Sequence, residues 1–391
     1  MQADYRDYYN RSVLAAVALA IALRVIAAIV IPDQSQLLMD AASYRDSANS
    51  LIETWHPRNL YQMPLYPLMI AMTGAGVGQL AADIFLSGLL VFVVHALTLE
   101  IFGDSLAAIF AAMMIACYPP LIFISVVGLS ECLFITLVFL AFLFWYRGDF
   151  TAAAIVAVLA VLTRPVFDLF APILVMLFAL VVHRMPVGQA FRKLGAYALI
   201  YCALMTPWWL ANYNAYGQFV RLTAGGGMAL YAGNNPLNRS GGGNVGEDFD
   251  LKDFQHIADG VERDKALAKA AVDFIVQNPG RFIELAWLKF VRIWRPWPAN
   301  AGYSSLGVML VTAGSFLPVL ILGAVGIVLR RRMLRTLAPI YIFAAGYTAV
   351  HMVIVGTIRY RLPLEPFLVM FAGVALGDFW RWASQRRATQ L

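Results

Sequence analysis

Residues Leu129–Phe170 read LSECLFITLVFLAFLFWYRGDFTAAAIVAVLAVLTRPVFDLF, and this stretch decides the fold class. Its first apolar run, Leu129–Tyr146, approaches the roughly 20 residues that an α-helix needs to cross hydrocarbon. Arg147-Gly148-Asp149 forms a polar turn, and a second, shorter apolar run, Thr151–Thr163, leads to Arg164-Pro165. After Glu131 no charge appears until Arg147, and none lies between Asp149 and Arg164. This is a membrane hairpin with charged residues at its ends.

Outward from the hairpin the pattern recurs. Further spans are expected at Val13–Ile31, Leu80–Phe102, Leu106–Phe123, Leu169–His183, Leu194–Leu210, Leu306–Leu329, Leu337–Val355 and Pro366–Trp380, making about ten. Leu65–Met72 is too short to span and reads as a re-entrant or interfacial piece. Of 391 residues, 61% are hydrophobic and 13% charged, with mean hydropathy +0.71. A soluble domain carries about 25% charged residues, so lipid must solvate much of this chain. The expected fold class is an all-α integral membrane protein, a single membrane domain over residues 1–391, with interfacial helices in two large outer loops.

Basic residues set the orientation. Arg6 and Arg11, Arg147, Arg184 with Arg192 and Lys193, Arg330–Arg332 with Arg335, and Arg381, Arg386 and Arg387 all fall on one side of a ten-span topology. Cytoplasmic loops carry such an excess, so both termini are expected inside a bacterial inner membrane. The opening MQADYRDYYNRS lacks an A-x-A-like cleavage pattern and reads as leading into an uncleaved span. The excess of basic over acidic residues, 29 against 23, therefore reports membrane orientation and not nucleic-acid binding.

Two long segments then project outward, residues 32–79 and 212–305. The first opens with a helix expected over Asp40–Thr54. The second holds a Gly/Asn-rich stretch, Gly225–Gly246, a helix over Glu262–Gln277, a break at Asn278-Pro279-Gly280, and an amphipathic helix over Arg281–Trp294 suited to lie in the interface. The Gly/Asn stretch lacks the Lys-Ser/Thr ending of a P-loop. Cys117, Cys132 and Cys202 lie in or beside apolar runs without metal-like spacing.

Charges beside spans are costly and mark function by default. Asp40, Glu131, Arg164 with Asp168, and Arg359 and Arg361 with Glu365 all fall at the outer face, with Arg24 about 12 Å further in by helical rise. Acids there suit proton acceptance, and arginines suit phosphate because the guanidinium fork offers paired donors. Asp168 is expected as an N-cap or as the partner of Arg164, and Glu365 as the balance to an arginine. Asp83 either caps its span or serves the site. A divalent metal between Asp40 and Glu131 is possible, but two acids without a histidine cluster do not require one.

Several stretches in order resemble one family. LRVIAAIVIP, MDAASYRDSANSLIE, MPLYPLMIAMTG, LSECLF, LTRPVFDLFAPILV, TPWWLANYNAYGQFVRLTAGGGMALYAGNNP and RYRLPLEPFLVMFAGVAL are similar to the GT-C glycosyltransferases that use polyprenyl-phosphate sugars. That group includes the protein O-mannosyltransferases and the lipid A aminoarabinose transferase. Ala211 departs from an arginine often found before Asn-Tyr in the family. The resemblance implies a polyprenyl-phosphate-sugar donor and a glycolipid, glycan or protein acceptor, handled at a site facing the periplasm or exterior. It makes Asp40 the general base, Glu131 a second acid, and Arg359, Arg361 and Arg24 contacts of the donor phosphate. Tyr44, Arg164, Tyr66 and Asn234 would line the site. The rival readings are a lipid-linked saccharide flippase or secondary transporter, and a non-catalytic glycolipid-binding scaffold. Repeats and midplane charges, which mark transporters, are not evident.

Overall fold

In a computed structural model, residues 2–31, 39–54, 61–298 and 305–388 are described, and the entry to the first outer loop at Pro32 lies outside them. The helices are α1 (Gln2–Val30), α2 (Met39–Thr54), α3 (Leu65–Thr73), α4 (Val77–Phe102), α5 (Ser105–Cys117), α6 (Pro119–Ile124), α7 (Glu131–Tyr146) and α8 (Phe150–Thr163). There follow α9 (Ala171–Leu177), which runs into a π-helical turn at Phe178–Val182, α10 (Val187–Tyr216), α11 (Gly226–Gly233), α12 (Gly260–Gln277), α13 (Pro279–Trp294), α14 (Leu306–Leu329), α15 (Leu334–Val353) and α16 (Glu365–Ala388). Among the described residues there is no β-strand.

Among the described residues, five helical stretches are long and apolar enough to cross a bilayer: Arg11–Val30, Val77–Phe102, Val187–Tyr216, Leu306–Leu329 and Arg331–Val353. Four shorter apolar helices of 10–17 residues accompany them. The division has a physical sense. The spanning windows of α10 and α14 are each only 17% buried and offer apolar flanks to lipid, whereas that of α4 is 67% buried. Short α7 sits in the core, with Phe134, Phe139, Phe142 and Trp145 fully buried, so it does not have to match the lipid thickness alone. This is a multi-pass membrane protein.

The span expected over Leu106–Phe123 is broken. Tyr118 is extended (φ −77°, ψ 109°) and the chain restarts as α6 at Pro119. A residue before proline is pushed out of the α region, and Pro119-Pro120 suits a helix start but not a helix interior. The span expected over Leu194–Leu210 extends instead from Val187 to Tyr216. Trp208 and Trp209 on its last turns donate from Nε1 to the carbonyls of Leu222 and Arg221, at 2.8 and 2.9 Å, folding the outer loop back on the helix. Inside the Gly/Asn stretch, α11 is a short helix that the sequence reading did not anticipate.

Helix α16 closes the bundle against α5 and α14. A Cβ at Gly326 would lie 2.0 Å from Phe371 O, and one at Gly373 would lie 2.5 Å from Ala107 O, so glycine permits both close approaches. At the same end of the bundle, Asp104 caps α5 and pairs with Arg381 at 2.5 Å, while Asp378 pairs with Arg330 at 2.8 Å and with Arg381 at 2.6 Å.

Candidate active site

Four charged side chains meet where α2, α7, α8 and the 3-10 turn Ile358–Arg361 converge. Asp40 occupies the first turn of α2, where the helix dipole favours a carboxylate. Glu131 is the first residue of α7 and follows a turn in which Gly128 takes φ +74°. Arg164 caps the C-terminus of α8, held extended before Pro165. Arg359 comes from the turn between α15 and α16.

Arg359 reaches both acids. Its Nη1 lies 2.5 Å from Asp40 Oδ2, its Nη2 lies 3.2 Å from Glu131 Oε2, and its Nε also donates to Glu131 Oε1. Arg164 Nη1 stands 2.6 Å from Glu131 Oε1. Charge thus alternates along Asp40–Arg359–Glu131–Arg164. The two acids are not equivalent: the Glu131 side chain is fully buried, whereas that of Asp40 is 55% exposed. Burial alone would loosen the proton on Arg359, but Glu131 and then Asp40 more than offset it and hold the guanidinium well above its ordinary value.

A polar layer lies behind this cluster. Tyr44 shares a 2.9 Å hydrogen bond with Ser130, the neighbour of Glu131, and packs edge-on to Tyr66 at 4.9 Å. Tyr66 donates to Asp83 Oδ2 at 2.7 Å and accepts from Gln79 Nε2 at 3.1 Å. Arg45 Nε donates to Gln79 Oε1 at 3.2 Å. Asp83 thus serves this layer and does not cap α4, whose N-cap is Gly76. Burial raises the Tyr44 phenol, so it acts as a neutral hydrogen-bonding group.

The structure therefore brings Asp40, Glu131, Arg359 and Arg164 into direct contact, with Tyr44 and Tyr66 behind them. Three other expected residues are engaged elsewhere. Arg24 is buried and donates to Ser87 Oγ at 2.5 Å, Ala116 O at 2.8 Å and Ala20 O at 3.1 Å, tying α1 to α4 and to the end of α5. Arg361 is buried against Glu365 at 2.5 Å and Arg295 O at 2.8 Å, with its guanidinium 3.4 Å from the Phe316 ring centroid. Glu365 does balance an arginine, as expected. Asn234 donates to Val353 O at 2.7 Å and accepts from Lys289 Nζ at 3.0 Å. Asp168 pairs not with Arg164 but with Arg221, at 2.6 Å, because Arg164 is taken by Glu131.

Lys289 is a buried charged residue that the sequence reading missed. It is fully buried, bonded to Asn234 Oδ1 and to Val353 O, both at 3.0 Å, and burial lowers its pKa to about 7. Its spacing held the signal: Leu285, Lys289 and Ile293 stand four apart on one face of α13, and all three are buried. The exposed apolar residues Ile283, Trp287 and Val291 lie off that stripe.

As arranged, the two carboxylates meet through a guanidinium, a donor set that does not fit a divalent cation shared between them. Among the described residues no group of three or more His, Cys, Asp or Glu comes together to hold a metal.

No family model matches the chain, and no curated protein matches it. Among solved structures, it is similar to the oligosaccharyltransferase of Archaeoglobus fulgidus tethered with an acceptor peptide containing the NVT sequon. That match has a TM-score of 0.52 and 14% identity, covering 98% of this chain and 51% of that one. ArnT from Cupriavidus metallidurans matches at 16% identity over 93% of this chain. The TM-score is 0.46 for the form bound to undecaprenyl phosphate (60% of that chain) and 0.48 for the apo form (59%). The chain thus spans about half the length of the oligosaccharyltransferase and about three fifths of ArnT. The first likeness is one of fold: this chain shares the membrane architecture of that oligosaccharyltransferase.

Proposed function

We propose that the chain is a glycosyltransferase that moves a sugar from a polyprenyl-phosphate donor to a lipid, glycan or protein acceptor. The observation that carries this reading is the contact of half-exposed Asp40 with Arg359, in a cluster anchored by buried Glu131, within a GT-C fold. A base and a phosphate-binding cation adjoin there, and both are partly open to solvent. In a bacterial inner membrane with both termini cytoplasmic, the cluster faces the periplasm. The basic residues Arg147, Arg330 and Arg381, which pair with Glu100, Asp378 and Asp104, then lie at the cytoplasmic end.

The reaction follows from the roles of the four side chains. Arg359 holds the donor phosphate through a charge-assisted hydrogen bond, and Arg164 adds positive charge behind it. The acceptor hydroxyl attacks the anomeric carbon from the face opposite the phosphate. A new C–O bond forms as the sugar–phosphate C–O bond breaks, the hydroxyl proton passes to Asp40, and polyprenyl phosphate departs without needing protonation. A single displacement inverts the anomeric centre. Glu131 acts by fixing both guanidiniums and needs no proton of its own. Arg24 and Arg361 brace the frame.

The test is sugar transfer in liposomes with a panel of polyprenyl-phosphate sugars and native membrane extract as acceptor. Wild type and Asp40→Asn are compared after both are shown to melt alike. Loss of the base is expected to lower transfer by about 10²–10⁴-fold. Full activity in Asp40→Asn refutes the base assignment. Absence of transfer by wild type across the panel, with movement of lipid-linked sugar between leaflets instead, moves the chain to the flippase class.

A further inference from the structure

Arg359 has more partners than a resting phosphate-binding residue needs, and its hold on them is unequal. Two of its nitrogens, Nε and Nη2, grip Glu131, which is fully buried and is also held by Arg164. The third, Nη1, holds Asp40 alone, on a side chain more than half exposed. Asp40 Oδ2 is thus occupied by a donor N–H, and an N–H of Nη1, in the most exposed of the Arg359 contacts, is occupied by Asp40. While that contact lasts, each group is engaged with the other and turned from its proposed task.

An arriving phosphate competes with Asp40 for Nη1. The exchange is favoured by what each side holds. The donor's phosphodiester brings two charged non-bridging oxygens, and Asp40 holds Nη1 through Oδ2 alone. The contact given up is exposed and weak, and the Glu131 contacts, which are buried, stay in place. We infer that the donor phosphate displaces Asp40 from Arg359, so that donor binding unmasks the base and must precede productive binding of the acceptor. Before the donor arrives, Asp40 is turned toward Arg359 and does not deprotonate an acceptor hydroxyl. This rests on the reading of the cluster as a transfer site for a phosphate-linked sugar.

The exchange makes a counter-intuitive demand: removing the base should improve donor binding. The probe is farnesyl phosphate, a short polyprenyl phosphate, titrated calorimetrically into the full chain in detergent. Asp40→Asn is expected to bind it up to about 5-fold more tightly than wild type, the value of a freed exposed ion pair. Asp46→Asn removes an equal charge from an exposed position on the same helix and should bind like wild type. In an Arg359→Gln background, where binding is weak, Asp40→Asn should give no gain, which marks the two residues as coupled. Equal or weaker binding by Asp40→Asn overturns the exchange, as does an equal gain in Asp46→Asn, which would reflect net charge alone. Failure of wild type to bind farnesyl phosphate overturns both the exchange and the donor assignment. A gain in Asp40→Asn, with no sugar transferred by wild type, sustains the exchange and refutes the transferase.

Discussion

Changing Glu131 to Gln keeps the side chain's shape and removes the charge that two guanidiniums share. Arg164 loses its carboxylate partner, and Arg359 keeps only the exposed contact with Asp40. Breaking a buried ion pair by neutralising one partner costs about 3–5 kcal/mol, because the remaining charge stays desolvated. Here the Arg164 and Arg359 side chains keep 16% and 25% exposure, so water relieves part of the penalty and the expected loss lies near about 3 kcal/mol. The assay is thermal unfolding in detergent followed by tryptophan fluorescence, where Glu131→Gln should melt several degrees below wild type. Asp40→Asn, which frees one exposed pair, should change stability by about 1 kcal/mol or less. Adding Arg164→Met to Glu131→Gln removes the orphaned charge and should recover part of the loss, a non-additivity of about 1–3 kcal/mol. If Glu131→Gln melts with wild type, or if the double variant is simply additive, Glu131 does not anchor the cluster and its proposed role is wrong.

Further outcomes follow from other contacts. Lys289→Met leaves Asn234 Oδ1 without its donor and takes from Val353 O one of two donors, Asn234 Nδ2 remaining, at a cost of about 1–3 kcal/mol, and should speed amide exchange in residues 230–246. Lys289 also carries a pH signature. Its pKa falls from 10.5 to about 7 on folding, so the unfolded chain binds the extra proton between those values. Stability should therefore rise with pH from about 7 to 10.5 and show no Lys289 dependence below 7, and this slope should vanish in Lys289→Met. Gly128→Ala places a Cβ 2.7 Å from Gln79 Nε2 at φ +74°, so it should cost about 1–2 kcal/mol in backbone strain and push Gln79 off Tyr66, lowering transfer and melting temperature together. Arg24→Met should lower the melting temperature yet leave the donor KM unchanged, and a raised KM would return Arg24 to the phosphate site.

The helices were legible because apolar runs and their Arg, Gly and Pro punctuation are local signals. The break at Tyr118 was missed because the run remains apolar across Pro119-Pro120. The charged residues of the site could be placed at one membrane edge, but not paired. Asp40 and Glu131 stand 319 and 228 positions from Arg359, and only packing decides that Arg164 faces Glu131 while Asp168 faces Arg221. Arg359 and Arg361 look equivalent in the sequence. In a turn with three residues per revolution, positions two apart point in different directions, so one reaches the acids and the other enters the core. Lys289 lies in the Arg281–Trp294 helix, expected at the interface from its alternation of apolar and basic residues, although its register matched the buried stripe.

The closure by α16 also sets an order of assembly. Asp104 waits 277 residues for Arg381, and the small-residue face of α5 waits nearly as long for Gly373. During synthesis Asp40 and Glu131 reach the membrane well before Arg359, with Arg164 as the only cation of the cluster then present. The nascent chain therefore carries an acidic excess at the future charged cluster until the segment after α15 emerges. Neutralisation of that cluster and docking of the closing helix arrive with the same stretch of polypeptide, which couples completion of the fold to completion of the candidate site.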